Sequence, residues 1–224
     1  MQVMGGDVGS FSEEMDRRIG EVFAAHPELD DHRGEFPWLT GWLGDPSAAV
    51  WLVAENPSAT QVSRIHDGEA TVEYQWAASR GDRLLRETLV DLGLKDGDPF
   101  SPGGWRCYLT DVMKSKVFVR DWNGAKSAEQ LLVAEAWAPV LSYELEVGDP
   151  AVLVTLGGNA DKAVRHLRRR RLIPGNPPTV RVAHYSYVMM RPQGQRPPGD
   201  LGRQREWKQS LRDAIGRHVG ERAG

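Results

Sequence analysis

The sequence predicts an α/β fold of three layers, α/β/α, around a central four-stranded parallel sheet. Four short apolar runs read as buried strands: AVWLVA at 49–54, CYLTDVM at 107–113, AVLVTL at 151–156 and TVRVAH at 179–184. The stretches between them carry apolar residues at helical spacing. Strands alternating with helices argue for a parallel sheet covered on both faces.

The elements follow in chain order. An amphipathic segment at 12–25 precedes the first strand and is expected to pack on the outside. Leucines at 84, 85, 89 and 92 mark one face of a helix over 82–92. Ser127 has the character of an N-cap, with Gln130 three residues later completing a capping box. The helix it starts is expected to run to about residue 146 and to bury Leu131, Leu132, Trp137, Val140, Leu141 and Leu145. Gly157 and Gly158 turn the third strand into a helix that ends at Arg168–Arg171, where cations complement the helix dipole. A last helix is expected from residue 202 or 203 to about 219, and the tail at 220–224 is expected to fray. No repeat is visible, and 1–224 reads as one domain with its motifs in 49–215 and a helical extension over 1–48.

Composition bounds the function. The 224 residues are 40% hydrophobic and 26% charged, a globular profile. The single cysteine excludes an internal disulfide framework and any cluster held by four of the chain's own thiolates. No apolar run approaches the roughly 18 residues of a membrane span, and no signal-peptide pattern opens the sequence. A cytoplasmic monomer without a membrane partner is the default expectation. The net charge of −3 conceals an asymmetry: from Lys162 onward there are 15 basic and 4 acidic residues, against 13 basic and 27 acidic before it. A basic C-terminal third suits a polyanionic partner, although solvated Arg-rich helix faces give the same count.

In open parallel sheets ligands bind beyond the carboxyl ends of the strands, so the residues just after each strand matter most. Glu55-Asn56-Pro57-Ser58 follows the first run. Asp111 ends the second and is followed by Lys114 and Lys116. Gly157-Gly158-Asn159 follows the third, and His184-Tyr185-Ser186-Tyr187 the fourth. Two carboxylates, an amide and an imidazole facing one crevice suit water activation and stabilisation of a developing anion. A nucleotide-binding enzyme read from Gly157-Gly158 is disfavoured, because neither G-x-G-x-x-G nor a P-loop is present.

The order of these motifs resembles the uracil-DNA glycosylase superfamily, nearest to its family-four branch. AENPS resembles that branch's G-E-x-P-G, and YQWAASRGDRLL is similar to P-F-V-G-x-A-G-x-L-L. YLTDVMKSK resembles Y-I-T-N-V-V-K-C-R, VLVTLGGNA resembles V-I-V-A-L-G-x-x-A, and HYSYVMMRP resembles H-P-S-Y-L-L-R-N-P. REWKQSL is similar to the helix that follows. The resemblance spans roughly 49–215 and implies a glycosylase-like fold and hydrolysis of the N-glycosidic bond of a base flipped out of DNA.

It also implies roles. Glu55 and Asn56 would hold and polarise the attacking water, with the dominant one left open, and His184 would hydrogen-bond the O2 of the departing base. Trp76 would stack on that base, and Asp111 would read its edge. Ser58, Lys114, Ser186 and Tyr187 would touch DNA, with Met189 and Met190 where the family inserts a wedge and Arg191 adding salt-dependent affinity. A structural reading competes at each: the methionines as core, and Asp111 turned toward Lys114 or a backbone amide.

Three departures from the family matter. Ser115 and Trp137 stand where family four has cysteines for an iron–sulfur cluster, so no cofactor is expected. VFVRDWNGAKS lacks the histidine of the covalent uracil-trapping relatives, which favours hydrolytic turnover. Asp111 replaces the usual asparagine. An amide both donates to O4 and accepts from N3–H of uracil, whereas a carboxylate only accepts, as from the N4 amino group of cytosine. The excised base is therefore uracil or a related pyrimidine, or else a modified cytosine such as the hydroxymethylated or glucosylated base of phage DNA; an anti-phage member of the superfamily with such an activity is known. A catalytically inactive DNA-binding relative is the remaining alternative. The segment at 63–74 has no counterpart and reads as a lid or pocket wall.

Overall fold

Each of the four apolar runs becomes a strand. In the computed structural model these are β1 (Val50–Ala54), β2 (Tyr108–Asp111), β3 (Val152–Leu156) and β4 (Thr179–Val182). The structure describes residues 8–30, 44–57, 80–101, 103–115, 127–189 and 201–219. These four strands pair in parallel, in the order β2-β1-β3-β4. β3 is buried along its whole length and β1 along all but its last residue, as apolar strands covered on both faces must be. On β4, at the sheet edge, Arg181 is exposed, and a charge there opposes edge-to-edge pairing.

Among the described residues six α-helices flank the sheet: α1 (Val8–Ala25), α2 (Arg80–Asp91), α3 (Ser127–Gly148), α4 (Gly158–Arg169), α5 (Tyr185–Met189) and α6 (Leu201–Val219). α1 packs on α3 and α3 on α4; α2 packs on α5 and α5 on α6. Two helical layers therefore enclose the strands, giving the three-layer α/β/α architecture.

α1 begins at Val8 and is an amphipathic helix packed on α3, with Phe11, Met15, Ile19 and Val22 buried. Phe11 stacks on Tyr143 of α3 with ring centroids 5.7 Å apart, and Phe23 meets Trp137 edge-on at 5.4 Å. In α3, Leu132 is 63% exposed rather than buried. It lies five residues from Trp137, about 140° around the helix, and so falls outside the buried face of Ala134, Trp137, Leu141 and Leu145.

Candidate functional site

Register brings the four strand ends level. Ala54 pairs with Asp111, Val53 with Thr155, and Leu156 with Val182. Ala54, Asp111, Leu156 and Val182 thus form one row, and the turns that follow them lie at the same end of the sheet. β2 and β4 stand three strand spacings apart, roughly 14 Å. The chain reverses its direction of sheet growth between β1 and β3, the switch point at which such sheets bind ligands.

Two predicted groups meet at that switch point. Asn159, in the first turn of α4, donates from Nδ2 to Glu55 Oε2 at 2.9 Å. The residues beside Glu55 are fixed through the backbone: the amides of Val112 and Met113 donate to the carbonyls of Ala54 and Glu55 at 2.9 and 3.0 Å. Asn56 and Pro57 follow, both half-buried. The turn after β3 needs its glycine. Gly157 has φ +95°, and a Cβ there would lie 3.1 Å from the Cβ of His184, so the backbone comes close to the histidine only because no side chain intervenes.

His184 is held on several sides. The backbone amide of Ser186 donates to Nδ1 at 3.2 Å, and the Ser186 hydroxyl lies 2.7 Å from the same nitrogen. A backbone N–H can only donate, so Nδ1 is the accepting nitrogen and Nε2 carries the proton of the neutral ring. Burial lowers the pKa of the imidazole below its ordinary 6.5, which favours that neutral form. The Tyr185 ring stacks on it at 4.3 Å and 28°. Trp207 of α6 donates from Nε1 to the carbonyl of Ala183 at 2.8 Å, tying down the residue before it.

Asp111 ends β2 with 6% of its surface exposed. Its backbone carbonyl accepts from Lys114 Nζ at 2.7 Å. The expectation that Lys114 touches DNA is corrected here. Its ammonium is fully buried, paired with Glu144 Oε2 at 2.6 Å and bonded to Thr110 Oγ1. Tyr108 and Thr110 both donate to Glu144 Oε1 at 2.8 Å. A lysine so enclosed has no route to a phosphate.

Ser186, also expected at a phosphate, has its hydroxyl on His184. Tyr187 is 67% exposed beside it. Met189 closes α5, but its side chain, together with Ser58, Trp76, Met190 and Arg191, lies outside the described residues. So does the segment at 63–74. The arginine run is set apart from the crevice. α4 runs about 18 Å away from Gly158, and Arg168 bonds Thr179 Oγ1, on the first residue of β4. Those arginines therefore sit at the amino ends of the strands, with Arg170 3.3 Å from Glu135.

Sequence reasoning misses three polar residues of this neighbourhood. Asp82, in the first turn of α2, is 4% exposed and accepts from the Tyr185 hydroxyl at 3.1 Å. Glu144 is the second and Tyr185, as a link between α2 and His184, the third. A signal exists for the carboxylates. Asp82 shares a helix face with Leu85 and Leu89, and Glu144 with Trp137 and Leu141, so each is a charge on an apolar face. Ser115 and Trp137 also meet, the indole donating to Ser115 Oγ at 3.2 Å with both residues fully buried. Among the described residues no group of three or more His, Cys, Asp or Glu is placed to hold a metal.

The family model for the uracil DNA glycosylase superfamily matches residues 42–210, about three quarters of the chain and every strand of the sheet. No curated protein matches the sequence significantly.

Proposed function

The chain belongs to the uracil DNA glycosylase superfamily, and from that membership we propose that it hydrolyses the N-glycosidic bond of a base extruded from DNA, leaving an abasic site. The observation that supports this most is the pairing of an oriented carboxylate with a neutral imidazole across one crevice: Glu55 held by Asn159, and His184 with its proton on Nε2.

The chemistry divides between them. Extrusion costs a few kcal/mol of unstacking, part of which stacking on Trp76 returns. As the bond from C1′ to the base nitrogen lengthens, its electron pair moves into the base and negative charge gathers on O2. His184 Nε2–H donates to that oxygen. A donor aimed at developing charge contributes about 2.7–4 kcal/mol, and a neutral imidazole supplies it without giving up its proton. Glu55 orients a water against C1′ and takes its proton as the C–O bond forms, while Asn56 helps hold the water. The base leaves as its anion and takes a proton from solvent, Glu55 gives up to solvent the proton it took, and free base and abasic sugar result. Tyr187 lies against the backbone of the extruded nucleotide, with Met189 and Met190 at the gap and Arg191 adding electrostatic affinity, while Ser186 holds His184. Among the described residues no helix is long and apolar enough to cross a membrane.

One observation favours a second reading of the substrate. Asp111 ends β2 in the same row as Ala54, and a carboxylate, an acceptor that cannot donate, suits the amino group of a cytosine better than the O4 of uracil. The base is then a modified cytosine, and the activity a defence against phage DNA.

The experiment is mass spectrometry of free bases released from a uracil-bearing oligonucleotide and from phage DNA carrying hydroxymethylated or glucosylated cytosine. Uracil release makes the protein a repair enzyme with Asp111 a tolerated variant. Release of the modified cytosine alone makes Asp111 the selector, and Asp111→Asn is then expected to shift the preference toward uracil. DNA binding with no base released overturns the enzymatic reading.

A further inference from the structure

Tyr185 stands between the imidazole of His184 and a buried carboxylate of α2. Its ring lies nearly flat against His184, centroids 4.3 Å apart and planes 28° off parallel, and its hydroxyl donates to Asp82 Oδ1 at 3.1 Å. Asp82 and Tyr185 are 103 residues apart, so this contact, within the packing of α2 on α5, belongs to the tertiary fold. Resting on the reading that His184 donates to the leaving base, we infer that Asp82 and Tyr185 are positioning residues: Asp82 anchors the phenol, and the phenol fixes the plane of the imidazole and the direction of its Nε2–H.

The need for such an anchor follows from geometry. A histidine ring turns about a broad, roughly two-fold χ2. The contacts from Ser186 meet one edge, at Nδ1, and by themselves leave the ring free to tilt about that edge. A phenol packed against one face stops the tilt, but only if the phenol is itself held. Asp82 supplies the hold from a helix, where its position is fixed by the packing of Leu84, Leu85 and Leu89. Burial, with the charges of Asp82 and Asp111, pushes the Tyr185 phenol well above its usual value, so its hydroxyl stays a donor at any working pH. Direction matters because an oxyanion donor acts only where the charge forms, and a misplacement of about 1 Å costs on the order of 10²-fold.

Four substitutions separate positioning from simple packing. Tyr185→Phe keeps the ring and cuts the anchor, and Tyr185→Leu removes the ring. Asp82→Asn keeps an accepting oxygen, and Asp82→Leu does not. Two readouts are taken: side-chain NMR of His184 without DNA, assigned by its loss in His184→Gln, and single-turnover base release with DNA affinity measured alongside. We expect Tyr185→Phe and Asp82→Leu each to slow the chemical step about tenfold at unchanged DNA affinity. The double variant is expected to be no slower than either, and Asp82→Asn to recover most of the loss. Tyr185→Leu is expected to move the His184 ring resonances and raise its pKa toward 6.5. Wild-type rates and His184 resonances in both Tyr185→Phe and Asp82→Leu overturn the inference, as do losses that add in the double variant. If His184→Gln itself releases base at the wild-type rate, the functional reading fails, and the NMR shifts still decide the anchor. Tyr185→Phe, nearly unchanged in volume, decides it if Tyr185→Leu does not fold.

Discussion

Asn159 Nδ2 donates to Glu55 Oε2 at 2.9 Å, joining the turn after β1 to the first turn of α4 across the gap where the sheet changes direction. The bond orients the carboxylate through a neutral donor. Glu55→Gln is therefore expected to lower single-turnover base release by about 10²–10⁴, with DNA affinity retained in a gel-shift titration. Asn159→Ala is expected to lose less, about tenfold, because the carboxylate remains and only its orientation is relaxed.

His184 links the site to stability. Burial holds its folded pKa below 6.5, so between that lower value and 6.5 the unfolded chain binds more protons than the folded one. Stability from this group accordingly rises with pH across that window, is fully present above 6.5, and is lost as the pH falls through the folded pKa. His184→Gln has nothing to titrate there. Urea melts from about pH 5 to pH 8 are expected to show the wild type gaining on His184→Gln up to 6.5, then a constant difference. A difference that stays flat throughout counts against the buried neutral imidazole.

The buried pair of Lys114 and Glu144 gives a prediction of another kind. Both side chains are fully enclosed, their charged atoms 2.6 Å apart, with Tyr108 and Thr110 satisfying the carboxylate. Removing one partner strands the other charge, a loss of about 3–5 kcal/mol. Lys114→Met is expected to show it as a lowered urea midpoint at unchanged slope. Adding Glu144→Gln is expected to restore part of the loss, since no charge is then buried alone. The salt dependence of DNA binding in Lys114→Met is expected to stay as in the wild type, which a phosphate contact would not allow.

The pair also shows where reading the sequence succeeds and where it stops. Strands β1 to β4 are legible because parallel strands covered on both faces are nearly continuous apolar runs, and their ends then name Glu55, Asp111, Asn159 and His184 as neighbours. Lys114 escapes this logic because a cation three residues past a strand end looks solvent-facing. Its true environment depends on Glu144, 30 residues on, and no local pattern records that pairing. Leu132 departs from expectation for a related reason: which arc of a long apolar helix is buried depends on what packs there, and Phe23 of α1 packs on Trp137. Ser186 reads as a phosphate ligand in sequence, yet its hydroxyl lies on the imidazole two residues back, an arrangement set by the fold of α5.

The basic C-terminal third divides by position. Arg168 is bonded to Thr179 and the carbonyl of Pro177, and Arg170 lies against Glu135. All are at the amino ends of the strands, the length of α4 away from Glu55 and His184. Arg169 and Arg171 are exposed at that same end, where positive charge complements the helix dipole, worth about 0.3–1 kcal/mol. If DNA is engaged only at the carboxyl ends, these two arginines release no counterions when it binds. Arg169→Gln with Arg171→Gln is thus expected to leave both the affinity and the slope of log K against log salt unchanged. Deleting one phosphate-binding cation from the binding face reduces that slope by about 0.9 for duplex DNA, which is the change expected of Arg191→Gln. A reduced slope in the Arg169 and Arg171 variant instead places DNA on the far end of the fold, and the crevice then cannot be the whole of the nucleic-acid interface.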